Sequence, residues 1–189
     1  MVAGTRLTTW LSVDGEVEEL SIPAVMTKAR ETTPIVCHTM ATARRLNVRS
    51  LVALDVLELY AFTRPAQFCL PTPGGLAAAL NLAPPGDAVD AALILQQSAQ
   101  ALLNELAAVL EHRDRLGAIA MAMAQGGWRW GPAVLAALGI PSDGNGAGAL
   151  AAWQRLPERE DGAPPPPPSD HAISGEAARD QLAELVGAG

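Results

Sequence analysis

The chain has 189 residues and a mass of 19.6 kDa, is 49% hydrophobic and 17% charged, and so can build one domain with a packed core plus an appendage. No run of about 18 apolar residues is present, which excludes a membrane-crossing helix, and no basic-then-apolar leader precedes a small-residue cleavage site, so a cytoplasmic location is expected. Residues 1–140 hold ten Lys/Arg against twelve Asp/Glu and residues 141–189 hold three against eight, so the net charge of -7 belongs mostly to the tail and a strongly basic nucleic-acid glove is excluded.

The first element is a hairpin. Leu7-Thr-Thr-Trp-Leu-Ser-Val13 and Glu16-Val-Glu-Glu-Leu-Ser-Ile22 are β-prone runs around Asp14-Gly15, a pair that favours a type I′ turn because both central positions then need positive φ. A short helix over Pro23 to Glu31 follows, then a buried strand at Pro34 to His38 and helical turns from Ala41 to Leu46. Ser50 to Val56 reads as a second short strand running into a helix over Leu57 to Phe62, which Arg64-Pro65 stops. Tyr60, Phe62 and Phe68 around Pro65 are expected to form a compact loop core. Thr72 caps a helix that begins at Pro73, since Pro at the first turn after a Thr cap is a start signal.

From Asp87 the spacing predicts a long helix, with Leu95, Ala99, Leu102, Leu106 and Val109 in one stripe and interruptions at Gly117 and Gly126-Gly127. After Ile140-Pro141 the composition shifts. Residues 141–173 read as a flexible acidic, proline-rich linker: Pro164 to Pro168 is an extended polyproline run, and Ala149 to Leu156 forms a small docking helix that includes Trp153. Ser174 then caps a last amphipathic helix in residues 174–189, the expected first helix of a following domain. The fold class is therefore α/β, with a few strands first and a helical second half.

Catalytic templates fail on identifiable residues. The sole lysine, Lys28, lies outside any G-x-x-x-x-G-K-[ST], so these residues hold no ATP site. No strand–G-x-G-x-x-G–helix occurs. His38, His112 and His171 lack metal-ligand spacing, and Cys37 with Cys69 makes neither a zinc cluster nor a disulfide framework.

Two resemblances add to this. Ile35-Val-Cys-His38, Leu54-Asp-Val-Leu-Glu-Leu59, Pro71 to Leu82 and Asp87 to Leu106 resemble, in order and spacing, the second half of a DnaQ-like 3′–5′ exonuclease domain, which implies a degenerate RNase H-like fold over residues 1–140. That family holds two metals with four carboxylates and a histidine general base. Here Asp90 matches the last aspartate, Pro85 stands at the histidine position, and Ala43 stands where the second acid belongs, with no Asp or Glu between Thr32 and Leu54. Asp14-Gly15-Glu16 spells the first motif, although a hairpin turn is the favoured reading. The resemblance therefore implies an inactive domain, with no metal and no catalytic residue. The alternative is an active metal-dependent exonuclease using Asp14, Glu16 and Asp90 with a further acid that the sequence does not place.

The second resemblance covers nearly the whole chain. Cys37-His38 with Ala41-Thr-Ala-Arg-Arg-Leu46, Leu57-Glu-Leu-Tyr-Ala-Phe-Thr-Arg-Pro-Ala-Gln-Phe-Cys-Leu-Pro-Thr-Pro73, and Gly127-Trp-Arg-Trp-Gly-Pro-Ala-Val-Leu-Ala-Ala-Leu138 look like the N-terminal region of a bacterial DinG-like ATP-dependent DNA helicase. So do Trp153-Gln-Arg-Leu-Pro-Glu158 and Ala183-Glu-Leu-Val186. The resemblance implies an accessory region ahead of an XPD-like, superfamily 2 motor, with ATP and Mg²⁺ used by that motor and DNA as its partner. Arg44, Arg45 and Arg49 are then candidate phosphate contacts, beside the plainer reading of a solvated helix face. Trp128 and Trp130 are candidates for base stacking or a partner, beside packing between helices. Asp55, Glu58 and Asp90 are read as capping or surface-solvated residues rather than remnants of a metal site. A free-standing protein-interaction adaptor is the remaining alternative.

Overall fold

Ser12 to Glu16 closes the first hairpin with the Asp14-Gly15 pair inside it. In a computed structural model, which describes residues 1–141 and 174–187, the Gly15 amide donates to the Ser12 carbonyl at 3.2 Å and the Ser12 amide to the Glu16 carbonyl at 2.9 Å. Gly15 alone in this loop takes a left-handed conformation, with φ 84°. The hairpin is as expected but its turn is not type I′. A three-residue loop ending on a left-handed glycine needs positive φ only where there is no Cβ to strain, so Asp14 keeps an ordinary conformation. The strands are β2 (Thr8–Leu11) and β3 (Val17–Leu20), antiparallel, with Thr8 opposite Leu20 and Leu11 opposite Val17. A further edge strand, β1 (Val2–Ala3), pairs with β2.

Helix α1 (Ile22–Glu31) carries Pro23 in its first turn and buries Val25 and Ala29, one helical turn apart. Its Lys28 pairs with Glu18 and lies 5.4 Å from the centre of the Trp10 ring, clamping the helix to the sheet. Next comes a β-α-β step: β4 (Ile35–Val36), α2 (Thr39–Arg45) and β5 (Leu54–Asp55), with the two strands parallel. The Met1 amine donates to the Ile35 carbonyl at 2.8 Å and so ties the start of β1 to β4. Met1, Trp10, Val25, Val36 and Leu46 form the centre of a first apolar cluster.

The rest is helical: α3 (Val56–Thr63), α4 (Pro73–Ala79), α5 (Ala88–Ala107), α6 (Arg113–Gln125) and α7 (Gly131–Ala137). Thr72 caps α4 through Gly75 N at 3.0 Å, and Asp87 caps α5 through Asp90 N at 2.8 Å. Leu95, Ala99, Leu102 and Leu106 are buried along one face of α5, as their spacing predicts. Val109 falls beyond the helix, however, and the break lies at Ala108–His112 rather than at Gly117. Arg113 accounts for it: its guanidinium donates to the carbonyls of Ala107 at 3.2 Å and Val109 at 3.1 Å, supplying donors that a helix end otherwise lacks. Gly117 stays inside α6, where a Cβ would come within 2.0 Å of Ile140. A second correction concerns Phe68, which is 82% exposed rather than part of a loop core, while Tyr60 is buried and Phe62 packs on Trp128.

The chain divides into two units, Met1–Trp153 and Gln154–Gly189. In the second, α8 (Gly175–Gly187) opens on Ser174, whose hydroxyl accepts from Ala177 N at 3.2 Å, the cap read from sequence. The expected helix at Ala149–Leu156 and the polyproline run lie outside the described residues. The architecture is mixed α/β, with eight helices and two small sheets among the described residues. No helix among them is long and apolar enough to cross a membrane.

Candidate functional site

Asp55 organises the region that the sequence singles out. Its Oδ2 accepts from Thr39 N at 2.6 Å, and its Oδ1 from Leu57 N at 3.0 Å and Glu58 N at 3.4 Å, so one buried carboxylate meets the N-termini of both α2 and α3. Anionic oxygens there satisfy orphan amides and oppose the positive helix ends. The Asp55 backbone carbonyl accepts from Trp130 Nε1 at 2.6 Å, which pins the turn before α7 to the β5–α3 junction. Trp130 is 3% exposed and offers no ring face to a nucleic-acid base; the structure places it between helices.

Trp128 is different. It is half-buried on Phe62, with ring centroids 5.0 Å apart, and its Nε1 has no hydrogen-bond partner although it is shielded from solvent. It borders an open groove of about 880 Å³ built from three stretches of the chain. His38 and Met40 come from the entry to α2, Glu58 and Ala61 from α3, Met123 from the last turn of α6 and Arg129 from the α6–α7 connection. Burial, and then the Asp55 charge, push the Glu58 carboxyl above the usual carboxylate range. The Trp128 indole acts in the opposite sense, favouring the ionised form without reaching hydrogen-bond geometry. Among the described residues no cation pairs with Glu58.

Arg44, Arg45 and Arg49 lie exposed at the end of α2 and in the loop beyond it. Arg45 reaches the Ala3 carbonyl at 3.4 Å; among the described residues none of the three forms an ion pair. Arg44 and Arg45 also lie in the last helical turn, where positive charge complements the dipole.

The two-metal chemistry of the DnaQ-like resemblance does not fit the donors present. Asp14 and Glu16 stand exposed in the hairpin loop. Asp90 accepts from Gly86 N at 3.0 Å in the first turn of α5, and Asp55 is committed to three amides. Among the described residues no three His, Cys, Asp or Glu side chains stand close enough to hold one metal ion. Cys37 and Cys69 are both free thiols packed against the helical core. Burial, reinforced by the Asp55 and Cys69 charges, pushes the Cys37 thiol up to about 12, and burial also raises Cys69.

Sequence reasoning missed the apolar rim of the groove, Met40, Val52 and Met123, which are exposed and far apart in the chain. No periodicity marks them, because Met40 lies in α2, Val52 in the loop before β5 and Met123 in α6. No family model matches the chain, and neither a curated protein nor a solved structure does.

Proposed function

We infer that this chain is the non-catalytic N-terminal accessory region of a DinG-like ATP-dependent DNA helicase, a cytoplasmic enzyme whose ATP- and Mg²⁺-dependent motor is not among these residues. Its task is to hold DNA for that motor, on a degenerate RNase H-like, DnaQ-like scaffold. The observation that carries the reading is the arginine edge. Arg44, Arg45 and Arg49 stand exposed and without carboxylate partners among the described residues, in a chain of net charge -7. Cations left unneutralised on an otherwise acidic protein suit a phosphate backbone, which is read by charge and not by base identity.

Two further points support it. The three segments that resemble the helicase region, around Cys37-His38, Leu57-Glu58 and Gly127-Trp128, all contribute to one groove beside α2. The scaffold reading draws on the antiparallel β1–β2–β3 meander followed by a parallel β-α-β step, joined through Met1 and Ile35.

Fluorescence anisotropy with a labelled single strand tests the reading across a salt series. Replacing Arg44, Arg45 and Arg49 together by Gln is expected to weaken binding and to lower the slope of log affinity against log salt by about 2, the value for three single-strand phosphate contacts. An unchanged slope and affinity, or no binding by the parent chain at low salt, would overturn it.

A further inference from the structure

The groove between α2, α3 and the α6–α7 connection combines features that a phosphate backbone does not use. Its rim presents Met40 at 61% exposure, Val52 at 48% and Met123 at 36%, three flexible or branched apolar side chains without a cover. The same groove is lined by Glu58, an exposed carboxylate with no ion-pair partner among the described residues, and by Trp128, whose shielded indole N–H has no hydrogen-bond partner. The nearby Asp55 carboxylate is already answered by the amides of two helix N-termini, which leaves Glu58 as the acid without a partner.

We propose that this groove docks an amphipathic helix from a partner protein, one whose apolar face lies on Met40, Val52 and Met123 and whose single Lys or Arg within that face pairs with Glu58. The charge argument selects the occupant. Arg129 and His38 line the groove too, yet Asp55 is the largest charge acting on Glu58, so phosphates there would meet two acids; a basic residue on an apolar face answers both the unpaired carboxylate and the uncovered methionines. Helices seat in grooves through apolar side chains at three- and four-residue steps, and methionine walls adapt to them. The inference rests on the reading that this region binds rather than reacts, and it adds the class of partner.

The test uses the full chain and two labelled synthetic helices, a Leu/Lys amphipathic peptide and its Leu/Glu counterpart. The Leu/Lys peptide is expected to bind saturably and the Leu/Glu peptide is not. Met40→Asp and, separately, Val52→Asp are expected to weaken binding about tenfold, as for loss of an apolar anchor, and Glu58→Gln about fivefold. Both rim residues are exposed, so these variants keep the fold, which circular dichroism checks. Val13→Asp, on the hairpin loop and 92% exposed, is expected to bind as the parent does.

Equal binding of both peptides, binding unaffected by the rim variants, or no saturable binding would overturn the proposal. So would a dimer, seen by sedimentation, that Met40→Asp dissolves, since the occupant would then be a second copy. The arginine variant of the DNA test is expected to retain peptide binding. Loss of DNA binding alone therefore counts against the proposed function, and loss of peptide binding alone against the groove.

Discussion

The two apolar clusters of the first unit are built from different materials. The helical one, formed by α3 to α7, holds seven leucines among fourteen buried residues, with Leu59, Leu76, Leu102 and Leu138 fully enclosed. The strand-rich one has four alanines among ten, and Trp10 is its one large aromatic. The helical cluster is therefore held chiefly by dispersion and apolar burial. The strand-rich one depends more on backbone pairing, the Met1–Ile35 hydrogen bond and the Lys28–Glu18–Trp10 clamp. Small side chains bring backbones close but give little burial each.

The seam between the clusters gives the largest test. Cys37 follows β4 directly and packs on the helical cluster, and at pH 8 a thiol at about 12 instead of 9.0 is expected to alkylate about a thousandfold more slowly than in the unfolded chain. Iodoacetamide labelling read by peptide mass spectrometry should therefore mark Cys69 well before Cys37. Equal rates would mean that the seam opens readily. Within the helical cluster, Leu102→Ala is expected to cost about 3–5 kcal/mol in urea unfolding, and Val36→Ala in the strand-rich one about 1–2 kcal/mol. Equal losses would break the distinction between the two.

Gly75→Ala places a methyl 2.3 Å from the Leu70 carbonyl oxygen, a backbone atom that cannot swing aside, for an expected loss of about 1–3 kcal/mol. The two indoles sharpen the contrast between a satisfied and an unsatisfied group. Trp130→Phe leaves the Asp55 carbonyl without its donor and is expected to cost about 1–3 kcal/mol beyond the effect of Trp128→Phe, whose N–H has no partner to lose. Thr72→Ala, which removes one cap, is expected at about 1 kcal/mol. Thermal or urea unfolding of each variant measures these differences.

Local grammar made the helical half legible. The Thr72-Pro73 start, the helical pattern from Asp87, the stripe from Leu95 to Leu106 and the Ser174 cap all act within a few residues of themselves. The break after α5 was hidden, because Arg113 supplies it by folding back onto carbonyls and no glycine or proline marks the place. β1 was hidden for a related reason: two residues carry no period, and Val2–Ala3 becomes a strand only through β2. At the site, the exposure of Arg44, Arg45 and Arg49 agrees with their polar setting, and the Trp128–Trp130 pair is split by burial in a way that residue type does not reveal. The groove itself joins residues 38 to 129, so no window of sequence contains it.

The Trp130 indole bond to Asp55 sets a timetable for synthesis. Its partners are 75 residues apart, and at about 5–20 residues per second a ribosome needs about 4–15 s to add the donor after the acceptor. Through that interval the Asp55 carbonyl has no Trp130 donor to meet. Among the described residues, Asp55 is thus the hydrogen-bond acceptor whose side-chain donor is made longest after it.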